Sequence, residues 1–226
     1  MNFFSRQKAA QVGVDFMPTG VAVVEVSSRK NNPGAILRSD FLLAAGMQQQ
    51  ASALQDWVKQ HGLKKAPCFS LIAKHDVQVL QMERPEVADD ELLQAVSWKV
   101  KDLISYEVES AVVDTFQLPP SPKSSVNTIN AVVANENTIA GYVDSITQSG
   151  LDLQVIDIHM LVAKNLLNAY QPSEQTLALL QIMDHESLVS IYHEQDLYVS
   201  RDFKIGLLDI ENKDPEDESL YDSILL

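Results

Sequence analysis

The chain has 226 residues and a mass of 25.1 kDa, room for one large domain or two small ones at roughly 100–200 residues each. Its 46% apolar and 21% charged residues exclude a disordered chain, and eight Gly with nine Pro exclude collagen-like or linker-like character. The net charge of −14 argues against binding nucleic-acid backbones, and the single Cys68 excludes an internal disulfide or a cysteine metal site.

The opening segment alternates like a hairpin. Gln11-Val12-Gly13-Val14-Asp15-Phe16 and Val21-Ala22-Val23-Val24-Glu25-Val26 are β-rich runs. Met17-Pro18-Thr19-Gly20 joins them, and its Pro and Gly suit a tight turn. A third strand is expected at 35–41, after Asn31-Asn32-Pro33-Gly34. Residues 48–61 read as a helix with Leu54, Trp57 and Val58 on one face and Gly62 just past its end. Pro67-Cys68-Phe69-Ser70-Leu71-Ile72 reads as a buried strand, which makes the order β-β-β-α-β unlike a simple βαβ repeat.

In the middle, residues 77–82 alternate as a strand that Pro85 stops. Asp89, Asp90 and Glu91 supply three carboxylates at a helix start, where they suit the positive end of the dipole. Leu92, Leu93, Val96, Val100, Leu103 and Ile104 then recur at helical spacing. Strands are expected at 111–116 and 128–134, on either side of the loop-like run Pro119-Pro120-Ser121-Pro122-Lys123-Ser124-Ser125. Residues 136–149 read as a helix capped by Asn135 and ended by Gly150, with Ile139, Val143 and Ile146 on one face.

The last third predicts a strand at 152–156, a helix at 158–170 and strands at 176–183, 187–192 and 197–203. An acidic loop follows at 211–218. Ser219-Leu220-Tyr221-Asp222-Ser223-Ile224-Leu225-Leu226 then begins an amphipathic helix that stops in its second turn, which predicts a fragment of a longer protein. Two triple-strand meanders thus flank a strand-helix-strand-strand unit. Charge is placed unevenly along this order. Residues 1–65 carry eight Lys/Arg against four Asp/Glu, residues 66–208 eight against twenty, and residues 209–226 one against seven. Arg6 and Lys8 beside Phe3 and Phe4 fall short of the roughly 4–8 clustered cations of a polybasic membrane anchor. With no apolar run near the ~20 residues of a helical span and no signal-peptide core, the chain is expected to be cytosolic.

These landmarks resemble the PilM family of actin-like proteins from type IV pilus assembly. Val12-Gly13-Val14-Asp15-Phe16 is similar to that family's first strand and phosphate loop, Val-Gly-Ile-Asp-Ile-Gly-Ser-Ser. Met82-Glu83-Arg84-Pro85-Glu86-Val87-Ala88-Asp89-Asp90-Glu91-Leu92 resembles its Met-Pro … Asp-Glu-Glu-Leu helix opening. Asp152-Leu153-Gln154-Val155-Ile156-Asp157-Ile158 resembles the return strand before the second domain. Tyr198-Val199-Ser200-Arg201-Asp202-Phe203-Lys204-Ile205-Gly206 resembles the Tyr-Ser-Arg-Glu-Phe-Pro-Phe-Gly segment. Residues 98–106 and 112–119 are similar to the MshI branch, which serves the mannose-sensitive haemagglutinin (MSHA) pilus. The cytoplasmic domain of the type II secretion protein GspL has a similar fold and is the closest competing identity.

The resemblance implies an α/β, actin-like (ribonuclease H-like) fold. It assigns residues 1–76 plus 151–170 to a first domain, 77–150 to an inserted strand-helix-strand-strand subdomain, and 171–226 to the beginning of a second domain whose remainder is missing. It also implies a cytoplasmic adaptor, peripheral to the inner membrane through its partners. The partner would be the N-terminal segment of a PilN-like inner-membrane protein, beside the platform and motor proteins of the assembly machine. A short apolar peptide would settle between the first domain and the insert, near Phe16 and Trp98.

An actin-like nucleotide site holds phosphates between two hairpins, each usually carrying Asp-x-Gly and small hydroxyl residues. The Asp organises the metal, and the Gly lets backbone N–H groups approach the phosphates. By resemblance, the first loop keeps Asp15 and Thr19 and the second keeps Ser187. Met17 stands at the first Gly position, Pro18 removes an N–H, and Ala22 replaces the family's Lys. Leu180-Gln181-Ile182-Met183 stands where Val-Asp-Ile-Gly is expected, so Gln181 replaces the Asp and Met183 the Gly. Asp184 and Glu186 add negative charge beside the phosphates. The expectation is a vestigial site with no cofactor, no metal and no ATPase activity, against the alternative of an ATP–Mg²⁺ switch. Asp15 then reads as a half-buried polar residue at a hairpin tip.

Other clusters carry less. Asp184-His185-Glu186 with His193-Glu194 lacks a third ordered ligand and reads as polar residues at strand ends. Cys68, inside an apolar run, reads as a buried inert thiol rather than a nucleophile served by His61 or His75. Trp98 lies off the apolar stripe of its helix. That leaves two readings, a contact with a neighbouring subdomain or exposure to a partner.

Overall fold

Alternating apolar residues build the first sheet. The structure, a computed structural model, describes residues 10–28, 34–119, 127–170, 176–183, 186–193 and 196–211. Strands β1 (Ala10–Met17), β2 (Gly20–Ser27) and β3 (Ile36–Leu43) form an antiparallel meander. Strand β4 (Pro67–Leu71) runs parallel to β1, and β8 (Asp152–Asp157) parallel to β4, giving the order β3-β2-β1-β4-β8. Val12, Val14 and Phe16 of β1 and Val21 and Val23 of β2 are buried on one face, the period-two pattern of a half-covered strand. Helix α1 (Met47–His61) contributes Leu54, Trp57 and Val58 to the same core, and Trp57 donates its indole N–H to Asp40 at 2.7 Å. Gly62 ends that helix in the left-handed conformation its position predicts. Helix α3 (Glu136–Ser149) packs beside α1 and is capped by Asn135, whose side chain accepts from the Asn137 N–H at 2.9 Å.

Between β4 and α3 lies a separate sheet. Strands β5 (Val77–Glu83), β6 (Ala111–Gln117) and β7 (Thr128–Asn135) pair antiparallel in the order β5-β7-β6, and none of them pairs with β1 or β2. Helix α2 (Leu92–Val100) closes one face, packing Val96 and Val100 against Ile129, Ala131 and Val133. The helical stripe expected through Ile104 is shorter than its apolar spacing suggests. After Val100 the chain turns, with the Leu103 N–H bonded to the Val100 carbonyl, so Leu92 and Ile104 reach the core while Leu93 and Leu103 are exposed.

The contacts divide the chain after His159. The second unit contains α4 (His159–Tyr170) from Met160 onward and an antiparallel meander of β9 (Thr176–Ile182), β10 (Ser187–His193) and β11 (Asp196–Phe203). Leu188, Tyr192 and Leu197 are its buried residues, and the Tyr192 hydroxyl ties the meander to α4 by donating to the Met160 carbonyl at 2.8 Å. A short helix α5 (Leu207–Glu211) was not foreseen, because five residues hold less than two turns of apolar periodicity. The helix expected from residue 219 lies outside the described residues. Among the described residues no helix is long and apolar enough to cross a membrane.

Candidate functional site

The first loop is a two-residue turn. Met17 pairs with Gly20, leaving Pro18 and Thr19 between the strands. Gln50 of α1 is buried and holds this turn from behind. Its amide nitrogen lies 2.7 Å from the Met17 carbonyl and 3.3 Å from the carbonyls of Gly20 and Ala44. The Thr19 carbonyl accepts from the Ala44 N–H at 3.1 Å. Gly20 is required for close approach: a Cβ there would stand 2.4 Å from the Leu42 carbonyl oxygen and 2.8 Å from the Phe41 ring. Sequence reasoning missed Gln50. The available signal was a polar residue one turn before Leu54 on the buried stripe of α1.

Asp15 is half-buried on the sheet face opposite Val14 and Phe16. It pairs with Ala22 on β2 and Leu71 on β4, and Leu71 in turn pairs with Asp157 on β8. Burial pushes its carboxyl above the ordinary range, and the nearby His159 acts in the opposite direction. No hydrogen bond to this carboxylate is formed among the described residues. Close by, Phe16 meets Tyr142 edge to face with ring centroids 5.5 Å apart. The Tyr142 hydroxyl donates to Asp76 at 2.8 Å and accepts from the Ala73 N–H at 3.1 Å. Burial raises the affinity of this phenol for its proton, and the charges of Asp76 and Asp15 add to that.

Asp15, Asp157 and His159 thus stand at the carboxyl ends of parallel strands, the position where open α/β sheets bind ligands. Asp157 already accepts from the Ile158 N–H at 2.8 Å. Among the described residues no three His, Cys, Asp or Glu side chains converge on a common point. Cys68 is fully buried, and its thiol is pushed up to about 12.

The second loop is closed by one bond of its own and by two to the segment that follows β11. Ile182 pairs with Ser187 and Gln181 with Leu188. The Met183 N–H donates to the Glu186 carbonyl at 2.9 Å, while the Met183 carbonyl accepts from the Leu207 N–H at 2.8 Å. Ser187 is buried and donates its hydroxyl to the Ile205 carbonyl at 2.6 Å. Gln181 keeps a buried side-chain oxygen with no hydrogen-bond partner among the described residues. Asp184, His185 and Glu194 lie outside the described residues.

The two partner-facing candidates separate. Phe16 is not open to a partner. It is 5% exposed because inward alternation on β1 buries its ring against Tyr142. Trp98 is 66% exposed, with the Lys101 ammonium 5.9 Å from its ring centroid. The ring is thus open to solvent rather than packed on a neighbouring element.

No protein-family model matches the sequence, and no curated protein matches it significantly. Solved structures do match. A chain of the PilM–PilN type IV pilus biogenesis complex superposes with a TM-score of 0.70 at 18% identity, over 96% of this chain and 73% of the matched one. The cytoplasmic domain of EpsL, an inner-membrane component of the type II secretion system of Vibrio cholerae, gives 0.59 at 15%, over 85% and 71%. The chain has an actin-like fold. A Bacteroides thetaiotaomicron protein with an actin-like ATPase fold agrees, with a TM-score of 0.51 at 6% identity over 93% and 76%. Thr19 and Ser187, the two hydroxyl residues expected at the loops, lie at the turns after β1 and β9. Here the Ser187 hydroxyl bonds within the protein, and Thr19 is exposed on a turn whose backbone carbonyls are already engaged.

Proposed function

We propose that this chain is a non-catalytic, PilM-type adaptor of a type IV pilus assembly machine, of the MshI branch. It docks the N-terminal cytoplasmic segment of a PilN-like inner-membrane protein and meets the membrane through such partners. The observation that carries this reading is the likeness to a chain of the PilM–PilN complex over 96% of the sequence. The EpsL likeness supports a second reading, the cytoplasmic part of a GspL-like secretion protein. Trp98 is the anchor to test first, since exposed Trp beside a cation is a common interface hot spot. Titration with a peptide of about twenty residues from the partner's N-terminus should register at tens of micromolar and weaken at least ~10-fold in Trp98→Ala. No binding by the unmodified protein in that range overturns the adaptor reading.

The same proposal includes a vestigial nucleotide site. Long Met17 and Met183 side chains replace Gly, Pro18 offers no N–H, and Gln181 replaces a metal-organising carboxylate. Calorimetry with ATP and Mg²⁺ is expected to show millimolar affinity or weaker. Tight binding by the unmodified protein, compared with a Met17→Gly, Gln181→Asp, Met183→Gly variant, would promote the nucleotide switch instead.

A further inference from the structure

The insert formed by β5, α2, β6 and β7 joins the first domain at one end. The chain enters it through residues 73–77 and leaves it through 134–136, and these crossings lie side by side because Val77 pairs with Ala134. Ala111, the first residue of β6, pairs with Asn135 at the same end. Beyond this joint the insert has a core of its own. Val96, Val100, Ile129, Ala131 and Val133, and the partly buried side chains packed against them, all lie between Leu80 and Val133. None of its strands pairs with the five-stranded sheet. Control of the insert's orientation therefore falls to the joint.

Helix α3 leaves the joint at Asn135 and runs into the first domain, where Tyr142 and Ile146 are fully buried. From there Tyr142 reaches back to the entering segment. Its hydroxyl accepts from the Ala73 N–H at 3.1 Å, just after β4 ends, and donates to Asp76 at 2.8 Å, just before β5 begins. Between these contacts lie Lys74 and His75 in a single tight turn, closed by the Asp76 N–H on the Ala73 carbonyl at 2.9 Å. One phenol thus spans the whole entering segment. Its ring is itself held by Phe16 of β1. Asp76 is the accessible member, since its side chain is 27% exposed and its other oxygen lies 3.7 Å from the exposed His75.

We infer that Tyr142 is the latch of a hinge between the first domain and the insert. Residues 73–77 and 134–136 are the hinge, short segments at element ends that can absorb a change of backbone dihedrals. The Ala73–Tyr142–Asp76 bonds hold the insert in its present orientation. Without them the insert, kept intact by its own core, swings as a body. This goes beyond the adaptor reading and does not depend on it.

The full chain with spin labels at Ser52→Cys on α1 and Gln94→Cys on α2, both exposed, reports the hinge as a distance distribution, and buried Cys68 does not compete. Tyr142→Phe removes the hydroxyl and keeps the ring on Phe16. Asp76→Ala removes the acceptor at a partly exposed position and opens no cavity in the core. Both should broaden or shift the distribution, whereas Ser145→Ala, which loses a hydroxyl bond to the Gly141 carbonyl within α3, should not. In Tyr142→Phe, exchange of the Ala73 N–H should rise about 10-fold, the equivalent of one buried hydrogen bond, with β1 as protected as before. A distribution unchanged in either latch variant, equal broadening by Ser145→Ala, unchanged exchange at Ala73, or matching loss of protection in β1 overturns the inference.

Discussion

The β1–β2 and β9–β10 hairpins are both alternating β-ribbons in an actin-like fold, yet they close their turns by different means. In the first, Gln50 reaches the turn carbonyls from a helix some thirty residues away in sequence. In the second, the closure comes from the segment that follows β11, where the Ile205 carbonyl accepts from the Ser187 hydroxyl and the Leu207 N–H donates to the Met183 carbonyl. The first keeps a half-buried Asp15 near Tyr142 and His159, whereas the second buries a Gln181 oxygen without a partner among the described residues.

Four substitutions sharpen this comparison, each read by chemical denaturation or thermal melting. Gly20→Ala should be the most damaging, by about 3 kcal/mol, since its Cβ meets a backbone oxygen that has no room to move. Gln50→Ala should cost roughly 2 kcal/mol by releasing carbonyls behind the turn. A smaller loss than that of Ser187→Ala would show that the first turn does not depend on the distant helix. Ser187→Ala itself is expected to cost about 1–1.5 kcal/mol, one buried hydroxyl bond.

Asp15→Asn should act in the other direction. Burial raises the folded-state value of this carboxyl above 3.8, so the folded protein binds a proton that the unfolded chain has released. The stability from that proton is present below pH 3.8 and is lost as pH rises through the raised value. Asp15→Asn should therefore melt a few degrees higher at pH 7 and show no advantage below pH 3.8. An advantage independent of pH would assign the gain to packing rather than to the desolvated charge.

Much of the fold was legible in the sequence because its signals are local. Alternation on residues 11–16 and 21–26, the αL stops at Gly62 and Gly150 and the Asn135 cap all act within a few residues. Strand pairing is not local. Nothing in the spacing of β4 and β8 states that β4 lies parallel beside β1 and β8 beside β4, or that β5, β6 and β7 form a sheet of their own. The site divides in the same way. Met17, Pro18, Gln181 and Met183 could be read as departures from a phosphate-loop pattern, since that pattern is a run of neighbours. Tertiary structure alone brought Gln50 under the first turn, set Ile205 against the Ser187 hydroxyl, and turned Phe16 inward onto Tyr142 while leaving Trp98 exposed. Sequence determines which side chains share an element's face; only packing decides which of those faces meets protein and which meets water.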